Sequence, residues 1–282
     1  VALAELAAGT VAYRVAKPVL ARESCEGVVR GVGRAAAYVD FDGFVVAVTR
    51  PGVALMPNGV ALGTRPPELG WARPGARVSL APGRLGDVVW EAAWPPVWES
   101  RLCAETSVRP EALRARGAEI LVACGLEAKP DPAALARAFN LDAEAAAVAL
   151  LLGSVASRDA APAADAAELL IGRGPGLTPV GDDVIAAAAG VASIAGWSEG
   201  ELRAWREAVL PGDLRSRTTA LSATLLELAG RGEVIEPVHG LLDGDAGDAR
   251  WRSAVHRLVR IGASTGGAYA AAAGATAFLG AA

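Results

Sequence analysis

The 282-residue sequence has little lysine, histidine, cysteine or methionine: Lys17 and Lys129 are its only lysines, His239 and His256 its only histidines, and one methionine is present. Arginine supplies the rest of the 27 basic residues against 31 acidic ones, and the net charge of −4 with no Lys/Arg block excludes a duplex-binding face. Cys25, Cys103 and Cys124 are odd in number and widely spaced with no C-x-x-C, which argues against a disulfide framework or a zinc knuckle and for thiols in a reducing cytoplasm. Neither histidine belongs to an H-E-x-x-H pattern, and Ser154, Ser157 and Ser193 lack a G-x-S-x-G elbow, so neither a metal centre nor a hydrolase triad is indicated.

A long hydrophobic run is also missing. The opening VALAELAAGTVAYRV has no basic flank and carries Glu5, unlike a signal peptide. The uncharged terminal stretch GGAYAAAAGATAFLGAA is short of the ~20 residues of a membrane span and is mostly Ala and Gly, which suits a buried, closely packed helix. The expectation is a cytoplasmic protein with no membrane and no nucleic-acid partner.

What is abundant is alanine, at 64 positions, within a chain that is 52% apolar and 21% charged, enough to bury a sizeable core. From Gly27 to about Val89 the runs GVVRGVG, AAAYVDF, GFVVAVT, GVALMP, GVALG and ARVSLA are short and β-branched, with FDG and PNG between them. Asp-Gly and Asn-Gly turns between such runs predict antiparallel hairpins. Trp90, Trp94 and Trp98 with Pro95 and Pro96 mark a crossing between regions. Beyond Pro110 the segments are Ala/Leu-rich, often with apolar residues at i, i+3 and i+4, and several end at glycine. SRDAAPAADA, from Ser157 to Ala166, reads as an exposed loop. The fold class expected is α+β: a small antiparallel β barrel or sandwich in residues 1–100, then a larger all-helical domain in residues 101–282.

One stretch interrupts the alanine-rich pattern, Gly172-Arg-Gly-Pro-Gly-Leu-Thr-Pro-Val-Gly-Asp-Asp183, followed at once by VIAAAAGVASIAG. Thr178-Pro179 has the form of an N-cap with proline at the first helical position. Gly172, Gly174, Gly176 and Gly181 free the backbone to curl, and a helix start presents unpaired N–H groups to a phosphate or carboxylate. The stretch lacks the Gly-Lys-Ser/Thr ending of a Walker loop and the βαβ setting of a dinucleotide fingerprint. Asp182 and Asp183 have several readings: stabilising the helix dipole, binding the N–H groups of an amide, acting as base toward a nitrogen, or holding Mg²⁺ against phosphate. A second small-residue turn, Ile261-Gly-Ala-Ser-Thr-Gly-Gly-Ala268, also enters an apolar helix, with Ser264, Thr265 and Gly266 as ligand-binding candidates. Arg215, Arg217, Thr218, Thr219 and Ser222 form a third polar group, in which Arg217 is suited to clamp a carboxylate or phosphate. If the two glycine-rich turns serve one ligand, they should lie side by side.

The run GRGPGLTPVGDDVIAAAAGV resembles the G-x-G-P-G-L-T-P-S-G-D-D signature of a bacterial family that includes the AllH-type subunit of oxamate carbamoyltransferase. Gly172, Gly174, Pro175, Gly176, Leu177, Thr178, Pro179, Gly181, Asp182 and Asp183 all match it. RTTALSATLLELAGRGE (Arg217 to Glu233), RIGASTGGAYAAAAG (Arg260 to Gly274) and VDFDGFVVAVTRPGVALMPNGVAL are similar in the expected order. Val180 departs from the usual Ser, and Ala263 and Thr265 stand in a turn that usually reads Gly-His-Ser-Ser-Gly. The resemblance implies carbamoyl transfer between oxamate and phosphate, interconverting oxalurate and carbamoyl phosphate in allantoin breakdown, alongside two larger subunits. Taken with the residue chemistry above, the catalytic candidates are Asp182 and Asp183, the substrate-binding candidates are Gly174, Gly176, Thr178, Gly181, Arg217, Thr218, Ser264, Thr265 and Gly266, and no cofactor is expected other than the Mg²⁺ left open above. A lone enzyme of different specificity, a metabolite-binding or assembly subunit, and homo-oligomerisation stay open.

Overall fold

The computed structural model describes residues 8–12, 25–62, 69, 72–81, 84–85, 88–89, 97–102, 109–242, 248–262 and 264–281. The chain divides into two compact units, Val1–Ser100 and Arg101–Ala282. The fold is α+β, a curled sheet followed by a helical region.

In the first unit the strands β1 (Ala8–Ala12), β2 (Cys25–Val32), β3 (Ala36–Phe41), β4 (Phe44–Thr49), β5 (Gly59–Leu62), β6 (Arg77–Ala81), β7 (Arg84–Leu85), β8 (Val88–Val89) and β9 (Val97–Trp98) form one sheet in the order β8-β7-β6-β2-β3-β4-β5-β1-β9. Alternate residues meet on one face. Val29, Ala37, Val39, Val46, Val48, Val60, Leu62, Val78 and Leu80 are all buried in one apolar cluster, against which Trp98 packs. The Asp-Gly expectation holds: Asp42 and Gly43 both have positive φ (51° and 90°), as a two-residue turn between twisted strands requires, and Asp40 Oδ1 accepts from the Gly43 N–H at 2.6 Å.

The Asn-Gly expectation fails, and with it the purely antiparallel arrangement. Asn58 is fully buried, its Nδ2 donates to the Val45 carbonyl at 2.7 Å, and it immediately precedes β5, which runs parallel to β4. The pairing of Ala47 with Gly59 means the chain has only to step back two residues along β4, so the nine-residue connection suffices. GVALMP lies in that connection instead of forming a strand. β1 and β9 are parallel as well. Trp90, Trp94 and Cys103 lie outside the described residues, and neither Cys25 nor Cys124 forms a disulfide among the described residues.

The second unit is helical: α1 (Pro110–Ala123), α2 (Pro132–Ala138), a 3-10 turn (Asp142–Glu144), α3 (Ala145–Ser157), α4 (Ala160–Leu170), α5 (Val180–Ala192), α6 (Glu199–Val209), α7 (Leu214–Arg217), α8 (Ala220–Ala229), α9 (Glu236–Leu242), α10 (Asp248–Val259) and α11 (Thr265–Gly280). All thirteen residues of α5 are buried, and α11 is buried over most of its length. A helix enclosed on every side has no polar face, which is why both are rich in Ala and Gly and carry polar residues at few positions. The buried C-terminal helix expected from the sequence is therefore present, and no described helix is long and apolar enough to cross a membrane.

Two local expectations are corrected. Ser157 to Ala166 is a tight helix junction: Arg158 takes a left-handed conformation (φ 58°), Asp159 caps α4 by accepting from the Ala161 N–H, and Pro162 falls in the first turn, where its missing N–H is not needed. By sequence His239, following Pro237, reads as part of a loop, but it lies within α9. Ser154 has a packing role, accepting from buried Trp205 Nε1 at 2.8 Å and donating to the Leu151 carbonyl.

α11 packs on both α1 and α5. At the α1 crossing a Cβ on Gly117 would stand 2.5 Å from the Gly274 carbonyl oxygen and from the Phe278 nitrogen, both backbone atoms that cannot swing away. Gly117→Ala should therefore cost about 1–3 kcal/mol through overpacking. Gly153→Ala, at an exposed position of α3 with open space around it, should gain up to about 1 kcal/mol of helix propensity. Urea denaturation of both variants checks this, and equal midpoints would contradict the crossing.

Candidate functional site

Gly172, Gly174 and Gly176 all have positive φ (76°, 107° and 103°), so the chain between α4 and α5 curls in a way L-residues resist. Space is the second constraint. A Cβ on Gly172 would lie 2.4 Å from the Arg217 carbonyl oxygen, and one on Gly181 2.1 Å from that of Leu170. Helix α5 starts one residue later than expected: Pro179 is the N-cap, and its carbonyl accepts from the Asp182 and Asp183 N–H groups. Thr178 is thereby freed from capping. The segment from Arg173 to Leu177 is exposed, and the amides of Gly174, Gly176, Leu177 and Thr178 have no acceptor among the described residues.

The two aspartates, adjacent in sequence, differ in role. Asp182 is 2% exposed and saturated: Oδ1 accepts from the Gly172 N–H at 2.8 Å, Oδ2 from the Thr218 hydroxyl, and Ser222 adds a further side-chain bond. Burial pushes its carboxyl above the usual range, and those three donors oppose the shift. Asp182 ties the glycine turn to the segment entering α8, and cation binding would have to displace donors from both its oxygens.

Asp183 is 4% exposed, bonds to Thr265, and has its Oδ2 buried with no hydrogen-bond partner. Burial raises its carboxyl to about 8, with the Thr265 bond opposing and the Asp182 charge adding. Tyr269 is buried one turn beyond Thr265, and its phenol is pushed up by burial and by the nearby Asp183 charge. The sequence reading missed Tyr269. Its signal is its position as the sole aromatic in the first two turns of α11, four residues after Thr265 and on the same helix face.

The two glycine-rich turns do lie side by side. Thr178 Oγ1 and Thr265 Oγ1 are 2.9 Å apart across 87 residues of sequence, so the starts of α5 and α11 converge. Gly266 allows the second turn to close, since its Cβ would fall 1.8 Å from the Leu258 carbonyl oxygen. Ser264 is exposed and makes no side-chain cap, and Ala263 lies outside the described residues. Thr219 links the third segment to the same place through its hydroxyl, which donates to the Leu177 carbonyl at 2.5 Å and accepts from the Ser222 N–H.

The arginines are engaged elsewhere. Arg217 donates to the Ala167 and Glu168 carbonyls at the end of α4 and pairs with the Glu168 carboxylate at 3.0 Å, and Arg215 pairs with Glu227 at 2.9 Å. The clamp expected of Arg217 is thus a helix C-terminal cap in this structure. Among the described residues no three or more His, Cys, Asp or Glu side chains cluster as a metal site.

A family model for the oxamate carbamoyltransferase subunit AllH matches residues 170–277, less than half of the chain but including both glycine turns and the α8 segment. Over that span the resemblance drawn from the sequence is borne out. No curated protein and no solved structure matches the chain.

The unequal surroundings of the aspartates set a prediction. Asp182→Asn leaves an amide facing N–H and O–H donors, and should cost about 1–3 kcal/mol. Asp183→Asn replaces a carboxyl held neutral up to about pH 8 by a group that does not titrate. The raised carboxyl binds its proton more tightly in the folded than in the unfolded chain. Its contribution is therefore most favourable below the unfolded value near 4 and is lost as pH rises toward 8. Melting temperatures of wild type and Asp183→Asn from pH 4 to 8 should converge or cross in that direction, and a constant difference would contradict the assignment.

Proposed function

We propose that the chain is a carbamoyl-transfer subunit whose helical unit binds a small anionic amide where α5 and α11 begin. The family match supports an oxamate carbamoyltransferase subunit. The observation that carries the finer reading is the convergence of the two helix starts, joined by Thr178 and Thr265 beside a buried carboxyl with one oxygen unfilled. The free amides of Gly174, Gly176, Leu177 and Thr178 supply donors to a carboxylate or phosphate at a site of positive backbone potential. Asp183 supplies what the amide portion needs.

In the transfer itself a phosphate oxygen bonds to the carbamoyl carbon of oxalurate, and the bond from that carbon to the oxamate nitrogen breaks. The nitrogen leaves with a proton, and the phosphate loses one. A carboxyl that is neutral near pH 7 can give its proton to the departing nitrogen and recover the one from phosphate, so the ionic balance closes within the site. Gly181, Gly172 and Gly266 act by letting the backbone close, and Asp182 and Thr218 by fixing the turn. Two larger partner subunits and the remaining machinery for turnover belong to this proposal, so the chain alone should bind ligand without transferring the group.

Thermal shift with phosphate, oxamate, oxalurate and carbamoyl phosphate at millimolar concentration tests the reading. Stabilisation is expected in the wild type and not in Gly176→Val, where a β-branched residue is forced to φ near 100° in otherwise open space. No stabilisation, or stabilisation that survives Gly176→Val, would overturn it.

A further inference from the structure

The hydrogen-bond inventory around the two aspartates is nearly closed. Asp182 has donors on both oxygens, Thr219 both donates and accepts, and the Asp183–Thr265–Thr178 chain is continuous. The unfilled buried position in this cluster is Oδ2 of Asp183. Native proteins rarely leave such an atom unpaired, because its desolvation goes uncompensated. Among the described residues the nearby Arg215 and Arg217 hold Glu227 and Glu168 instead, and the adjacent charge is that of Asp182. A carboxylate or phosphate placed against Oδ2 would stand beside the Asp182 charge without a counter-ion.

Resting on the function proposed above, we infer that Oδ2 of Asp183 is the docking point for a primary carboxamide, so that this site selects ligands by their –CONH₂ end. A carboxamide offers an N–H donor and a carbonyl acceptor side by side. An ionised Asp183 accepts from that N–H, and a protonated one accepts it while donating its own O–H to the carbonyl, giving two parallel hydrogen bonds and no added charge. The Thr178–Thr265 hydroxyl contact that joins the two turns is neutral, and a ligand can replace it with its own donor and acceptor. The anionic end of the same molecule is left for the amides of Gly174, Gly176, Leu177 and Thr178. Asp183 is in this sense a specificity residue, separate from the anion-binding turn.

Isothermal titration of the full chain with oxamate, oxalate and N,N-dimethyloxamate tests it. Oxalate exchanges the carboxamide for a second carboxylate, and the dimethyl compound keeps the carbonyl and loses both N–H groups. Oxamate should bind on the order of 10-fold or more tightly than either. In Asp183→Asn the new N–H₂ can donate to a carboxylate, so the oxamate preference over oxalate should shrink or reverse while phosphate binding at the glycine turn persists. Equal binding of oxamate and oxalate by the wild type, or an unchanged preference in Asp183→Asn, would overturn the inference and leave the anion-site reading standing. Failure of all these ligands and of phosphate to bind would overturn both. Should Asp183→Asn fail to fold, the wild-type ratio of oxamate to N,N-dimethyloxamate decides alone: a ratio near one rejects the carboxamide contact.

Discussion

The buried carboxylate of Asp182 is the contact on which the site depends. It ties the Gly172 amide, 10 residues before it, to the segment of Thr218 and Ser222, which starts 36 residues after it. Without it, a turn of left-handed glycines would have little to hold one conformation, since each glycine brings a large backbone entropy to be lost. The energetic cost of burying the charge is visible in the upward shift of Asp182, and its three donors are what offset that cost. Close approach of the Arg217 carbonyl to Gly172 follows from the same tether, as no side chain could stand between them.

With that turn fixed, the helix α5 can begin beside the start of α11 and the two can run buried through the unit. Their small residues permit the approach, and Gly117 and Gly274 let α1 and α11 meet almost directly. This packing brings Thr178, Thr265 and Asp183 together at the helix starts, at one end of a largely apolar pair.

Much of this was legible in the sequence because the signals are local. Positive-φ glycines, the proline at the α5 start and the Ala-rich helices report on a few neighbouring residues, and the two turns could be nominated from composition alone. Errors arose where a local signal has two outcomes. Asn58-Gly59 reads as a hairpin turn, yet buried Asn58 donates to Val45 and the chain after it enters a parallel strand. The Pro162 segment reads as a loop, yet proline in a first turn is compatible with helix α4. Arg217 has the chemistry of an anion clamp, and what claims it is the end of α4, some fifty residues away.

The sequence by itself determined the α+β class, the buried C-terminal helix, the glycine turn before Asp182 and the family resemblance over residues 170–277, because each depends on pattern within a short window. Only the tertiary structure separated Asp182 from Asp183. Adjacent helical residues point about 100° apart, so one carboxylate faces Gly172 and Thr218 and the other faces Thr265 and Tyr269. Which donors wait in each direction is decided by segments 36 and more residues away. The same holds for the unfilled oxygen of Asp183: it exists because α11 supplies one hydroxyl to that carboxyl and leaves its second oxygen without a donor, a fact of packing with no local trace in the chain.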